Sequence, residues 1–148
     1  MSKIGRVFLF FCLALFISGS SHIAIAEAPQ ITLSQLRQQT EWSDTDILLG
    51  IKLSCEEYDF DYHTLMKDLA WKESNYGQTT RCGDDGKACG LYQFHKNTWD
   101  GFLSEFNKIG FDYNNNIDQI EITILALKKG YWKSWGPLKR KYEKNPIY

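Results

Sequence analysis

Apolar residues recur along this chain at helical spacing in four separate runs. The first follows Ser43, a residue suited to capping a helix N-terminus with Asp46 three places on, and consists of Ile47, Leu48, Ile51 and Cys55. The second is Leu65, Met66, Leu69 and Ala70, the third Trp99, Phe102, Leu103 and Phe106, and the fourth Ile117, Ile120, Ile124 and Leu127 behind the capping stretch Asn114 to Asn116. These runs predict four helices, joined by a turn or two of helix over 34–39 and a short basic helix after Gly136 and Pro137. An acidic connector, Glu56 to Tyr62, separates the first two. Between the second and third the pattern breaks: Gly77, Gly83, Gly86 and Gly90, with Asn75, Asp84 and Asp85, predict a loop or a small irregular hairpin. No long strand alternation and no internal repeat occur, so the expected fold is mainly helical with one conformationally special loop.

The first 26 residues have a different character. Lys3 and Arg6 precede an unbroken apolar run from Val7 to Ile17, and a polar stretch then closes on Ala24, Ile25 and Ala26. That order predicts a secretory leader cleaved after Ala26. Its apolar run is far shorter than the roughly 20 residues that span a bilayer, so no stable membrane anchor is expected once it is removed. Phe10 and Phe11 before Cys12 argue against a lipidated cysteine. What remains, residues 27–148, is enough for one domain with one core.

The leader holds two of the 17 basic residues and none of the 18 acidic ones, which leaves the remainder at −3 and argues against a nucleic-acid partner. Basic residues nevertheless gather from Lys128 onward, as a solvated helix end or as a surface for an anionic polymer such as a cell wall. Export also bears on the cysteines. Cys82 and Cys89 flank one Gly-rich loop and are the best disulfide pair, while Cys55 reads as a buried thiol, with a bond to one of the loop cysteines as the alternative.

The second helix carries the candidate chemistry. At about 100° per residue, Leu65, Leu69, Met66 and Ala70 define an arc in whose middle Glu73 falls. An inward carboxyl has its pKa pushed up by desolvation and can hold a proton for a glycosidic oxygen. The plainer alternative is a glutamate at a frayed helix end, bonded to a backbone N–H or a lysine. Gly90-Leu91-Tyr92-Gln93-Phe94 follows, with a glycine that permits close backbone approach and an amide that can bond sugar hydroxyls.

Together, ESNYG (Glu73 to Gly77), GLYQF (Gly90 to Phe94) and Thr98-Trp99 resemble the transglycosylase domain of soluble lytic transglycosylases, within the lysozyme-like superfamily that includes goose-type lysozymes. The resemblance covers roughly 46–135, with Asn116-Ile117 in the place of the family's N-I motif. It implies a mainly α, lysozyme-like α+β fold. It also implies cleavage of the MurNAc–GlcNAc bond of peptidoglycan to 1,6-anhydro ends, without metal or cofactor. Carried over by position, Glu73 matches the catalytic acid, Ser74 the serine after it, and Gln93 the groove-lining glutamine; Gly90, Leu91 and Tyr92 complete the motif, with Tyr92 in place of a methionine. Asn116 matches a residue that positions a helix beside the site. The family's A-Y-N segment does not occur, and Tyr131 is the candidate substitute for its tyrosine. Periplasmic or secreted localisation is expected, and small exported relatives of this kind often serve a secretion, conjugation or pilus apparatus. Hydrolysis in the goose-lysozyme manner, with Asp84 or Asp85 as base, is the rival chemistry; a wall-binding module without turnover is the rival class.

Two other patterns fail on spacing. His63 and His95 with Cys82 and Cys89 match no common zinc site, and the run beginning at Asp112 has Ile117 where a calcium loop needs glycine. Trp71, on the polar side of its helix, joins Tyr92 as a candidate for stacking on sugar.

Overall fold

The computed structural model describes residues 31–79 and 81–142, and their side chains as far as Arg140. The expected leader lies outside the described residues. The chain is mainly helical: α1 (Leu33–Arg37), α2 (Asp44–Glu57), α3 (His63–Ser74), a turn α4 (Gly83–Gly86), α5 (Lys96–Glu105), α6 (Asn116–Lys128), a 3-10 turn (Tyr131–Ser134) and α7 (Gly136–Tyr142). No helix among the described residues is long and apolar enough to cross a membrane.

Local chemistry sets the helix starts. Thr32 and Gln35 close a reciprocal capping box on α1, and Ser43 and Asp46 do the same on α2, with Ser43 N–H donating to Asp46 Oδ2 at 2.9 Å. On α6 the cap is Asn115, whose Oδ1 accepts from the N–H groups of Ile117 and Asp118 at 3.0 and 3.3 Å. Its Nδ2 donates to Arg37 O at 2.7 Å and ties this helix start to α1. Asn116 is half-buried and is the first residue of the helix, one place past the cap that Asn115 holds.

The core is built around α6. Residues Ile117 to Ile124 are all buried, which the single apolar stripe of the sequence did not foretell. A helix enclosed on every side needs partners for its polar groups. Asp118 and Glu121 find them in Arg37, which donates from Nε to Asp118 Oδ1 at 2.7 Å and from Nη2 to Glu121 Oε1. Tyr58 OH donates to the other Glu121 oxygen at 2.8 Å, and Lys108 Nζ donates to Tyr58 OH at 2.8 Å. On another side α2 crosses α6 at Gly50, where a Cβ would stand 2.7 Å from Ile117 Cδ1. Absence of a side chain there lets the two helices approach.

Between α3 and α5 the Gly-rich segment forms the expected hairpin. β1 (Ala88–Cys89) pairs antiparallel with β2 (Phe94–His95), Ala88 opposite His95 and Cys89 opposite Phe94. Phe94 anchors the hairpin to the core, edge-on to Trp99, Phe102 and Trp135 at centroid distances of 5.4, 6.2 and 5.5 Å. The sulfurs of Cys82 and Cys89 are bonded across the loop, with Cα atoms 4.4 Å apart. Cys55 is a free thiol buried in the core, its pKa pushed up to about 11 by burial and then by Glu56.

Candidate functional site

Helix α3 stops abruptly. Asn75, Tyr76 and Gly77 all have positive φ, at 53°, 55° and 80°, and they turn the chain away from the helix axis. Ser74 holds this break: its buried Oγ donates to Leu91 O at 2.7 Å and accepts from Gly77 N–H at 2.8 Å. The serine therefore splices the end of α3 to the hairpin turn. With its hydroxyl so engaged and its side chain buried, it is not placed as a groove-lining group.

Glu73 is one residue earlier and half-buried, in the last turn before the break. The angular expectation is met in direction, but the helix ends there, so the carboxylate emerges beside the core rather than within it. It lines an open groove of about 640 Å³ with Arg81, Gly83, Asp84, Asp85 and Gln93. A second face of the same region adds Ala88, His95, Trp135 and Pro137. Among the described residues no hydrogen bond or ion pair reaches the Glu73 carboxylate. Its pKa is raised, chiefly by burial; the positive charge of Arg140 on α7 works against that shift, and the negative charge of Asp84 adds to it.

Gln93 lines the same groove as Glu73 and is itself in the left-handed region at φ 49°. Its Oε1 accepts from Gly83 N–H at 2.8 Å and its Nε2 donates to Gly90 O at 2.9 Å, so the amide bridges the two loops. One N–H and one lone pair remain for a ligand. Asp84 and Asp85 adopt φ of 47° and 55° in the α4 turn, as turn aspartates do. Asp84 also reaches across the hairpin to His95, with Oδ2 2.8 Å from Nε2.

Several residues expected at the site lie elsewhere. Leu91 and Tyr92 are fully buried, and Tyr92 OH donates to Met66 O at 3.2 Å; Tyr92 is a core residue, not a groove wall. The glycine at 90, at φ 81°, makes room for the side chain of Gln119 and not for a ligand, since a Cβ would meet Gln119 Nε2 at 1.9 Å. Tyr131 is exposed, donates to Glu105 Oε1 at 2.9 Å and packs on Phe102, which directs it to α5 and away from the residues around Glu73. Trp71 is exposed and packs on Tyr76 at 5.5 Å. The aromatic that does border the groove is Trp135, whose Nε1 donates to Tyr92 O at 3.1 Å. Its sequence mark was slight: a tryptophan directly before Gly136-Pro137. His95 entered the sequence analysis only in a rejected zinc pattern and Arg140 only within the basic run after Lys128, neither as a neighbour of Glu73.

Comparison of the chain with family models, with curated proteins and with solved structures returned no match.

Proposed function

We propose that this chain cleaves peptidoglycan glycan strands between MurNAc and GlcNAc by a lytic transglycosylase reaction with Glu73 as general acid. The observation that carries the reading is the Glu73 carboxyl itself: desolvated, unpaired among the described residues, and opening on a groove with the Gln93 amide. Such a carboxyl keeps its proton to higher pH than a free one and can deliver it to a leaving oxygen.

In the proposed reaction Glu73 protonates the glycosidic oxygen as the bond from MurNAc C1 breaks, and the MurNAc acetamido group stabilises the developing cation. The Glu73 carboxylate then takes the proton of the sugar's C6 hydroxyl while O6 bonds to C1. The acid is regenerated and no water is consumed. A second carboxylate has no part in this scheme, and one of the two groove aspartates, Asp84, is already engaged by His95.

Asp84 also supports the rival reading. It lines the same groove as Glu73, so a hydrolytic muramidase with Asp84 as base has a structural footing. The wall-binding alternative draws on Tyr131, the candidate for the family tyrosine, being bonded to Glu105. Mass spectrometry of products released from purified wall separates all three. Anhydro ends support the transglycosylase, reducing ends carrying solvent oxygen support the hydrolase, and binding without release supports the module. Glu73→Gln is expected to fold and to lower release by about 100-fold or more; unchanged lysis by that variant would remove Glu73 from the chemistry.

A further inference from the structure

Gln119 lies in the first turn of α6, 1% exposed, in a buried run where four isoleucines alternate with Asp118, Glu121 and Thr123. A buried amide is costly unless its hydrogen bonds are met, and a leucine would fill the space without that demand. Here they are met by the hairpin turn and by the segment that leads into α6. Gln119 Oε1 accepts from Tyr92 N–H at 2.9 Å, and Nε2 donates to Tyr113 O at 2.6 Å, with Cys89 O a longer partner at 3.5 Å. The amide occupies the notch left by the missing side chain at Gly90. It thus contacts the turn on both sides of Gly90 from behind, while the front of that turn presents Gln93 to the groove.

We propose that Gln119 is the positioning residue of this site: its buried amide locks the Cys89 to Tyr92 turn and so fixes the Gln93 side chain that bridges to Gly83 beside Glu73. The chain of contacts runs from Gln119 to Tyr92 N, through one peptide to Gln93, and from Gln93 Oε1 to Gly83 N. The same turn supplies Leu91 O to Ser74, next to Glu73 on α3. Loss of the lock therefore loosens both walls of the groove. A looser groove admits water to the Glu73 carboxyl and brings its titration down toward the ordinary range.

The activity consequence rests on the proposed chemistry of Glu73; the structural consequence does not. Gln119→Met keeps chain length and volume but removes both halves of the amide. Gly90→Ala reaches the same lock from the other side, by pushing a Cβ into the amide. For each folded variant, NMR would follow the backbone amides of Gly83 and Tyr92 and the carboxyl titration of Glu73, beside wall binding and wall release. Both variants are expected to shift the two amides and lower the Glu73 midpoint. Release should fall about 10- to 100-fold with binding nearly unchanged, as misplacement of a reacting group does. A folded Gln119→Met with wild-type Gly83 shifts and a wild-type Glu73 titration overturns the proposal. So does failure of both variants to fold, which would make Gln119 a residue of the fold alone. If the wild-type protein releases nothing from wall, the proposed chemistry fails, while the amide shifts and the titration still judge Gln119.

Discussion

Ser74→Ala separates service to the fold from service to a ligand. The substitution deletes one donor and one acceptor: the bond to Leu91 O at 2.7 Å and the bond from Gly77 N–H at 2.8 Å. Leu91 is fully buried, so its carbonyl is left without water, and such an orphan costs about 1 to 3 kcal/mol. Gly77 is exposed and its N–H can turn to solvent, which limits that loss to about 0.5 to 1 kcal/mol. The expected destabilisation is therefore about 1.5 to 4 kcal/mol. In a domain of this size a kcal/mol moves the midpoint by about 4 °C, so thermal denaturation should show a fall of roughly 6 to 16 °C. Wall binding measured by co-sedimentation well below the transition should stay near wild type. A midpoint within about 2 °C of wild type, together with weakened binding, would refute the splice and return Ser74 to the groove.

Other outcomes follow from the same geometry. Glu73 has a raised pKa in the folded chain, so its ionisation opposes folding, and the stability associated with its protonated form is lost as pH rises through the folded value. Glu73→Gln should thus melt higher than wild type at neutral pH, and the difference should vanish below about pH 4, where both states carry the proton. The alkaline limb of wall release should move to lower pH in Asp84→Asn, which removes a charge that raises the Glu73 pKa, and to higher pH in Arg140→Ala, which removes one that lowers it. Limbs that stay in place in both variants would mean another group sets the profile. Tyr131→Phe should keep release within about twofold, since it loses only an exposed bond to Glu105; a loss of tenfold or more would bring Tyr131 back to the site.

Short-range chemistry was readable in the sequence. Ser43 with Asp46 marks a helix start by residues three apart, and the helical angle alone put Glu73 on the inner side of α3. The hairpin followed from its glycines. What the motif GLYQ could not reveal is where each side chain points, because Gly90 and Gln93 both take positive φ and redirect the residues between them inward. Tyr92 then looks like a groove residue in the sequence and is a core residue in the fold. Gln119 was hidden for a different reason: a polar residue in an apolar helix announces a need, but its partner lies 27 positions away in a turn. Tyr131 was placed by resemblance to a motif the chain lacks, and the 3-10 turn carries it to α5 instead.

The bonds from Arg37 to Asp118 and Glu121 join positions 81 and 84 residues apart. Their consequence concerns the order of assembly. A chain emerging from its N-terminal end makes α1 and α2 early, yet neither the ion pairs of α1 nor the Gly50 contact of α2 can close until α6 has appeared. Any fragment ending before Glu121 leaves Arg37 short of an acid, and one ending before α6 leaves the side of α2 around Gly50 without its partner. Contacts of such long span slow the closing step. The core also draws on Trp132, Trp135 and Leu138, so it is complete only when the residues after α6 have joined it.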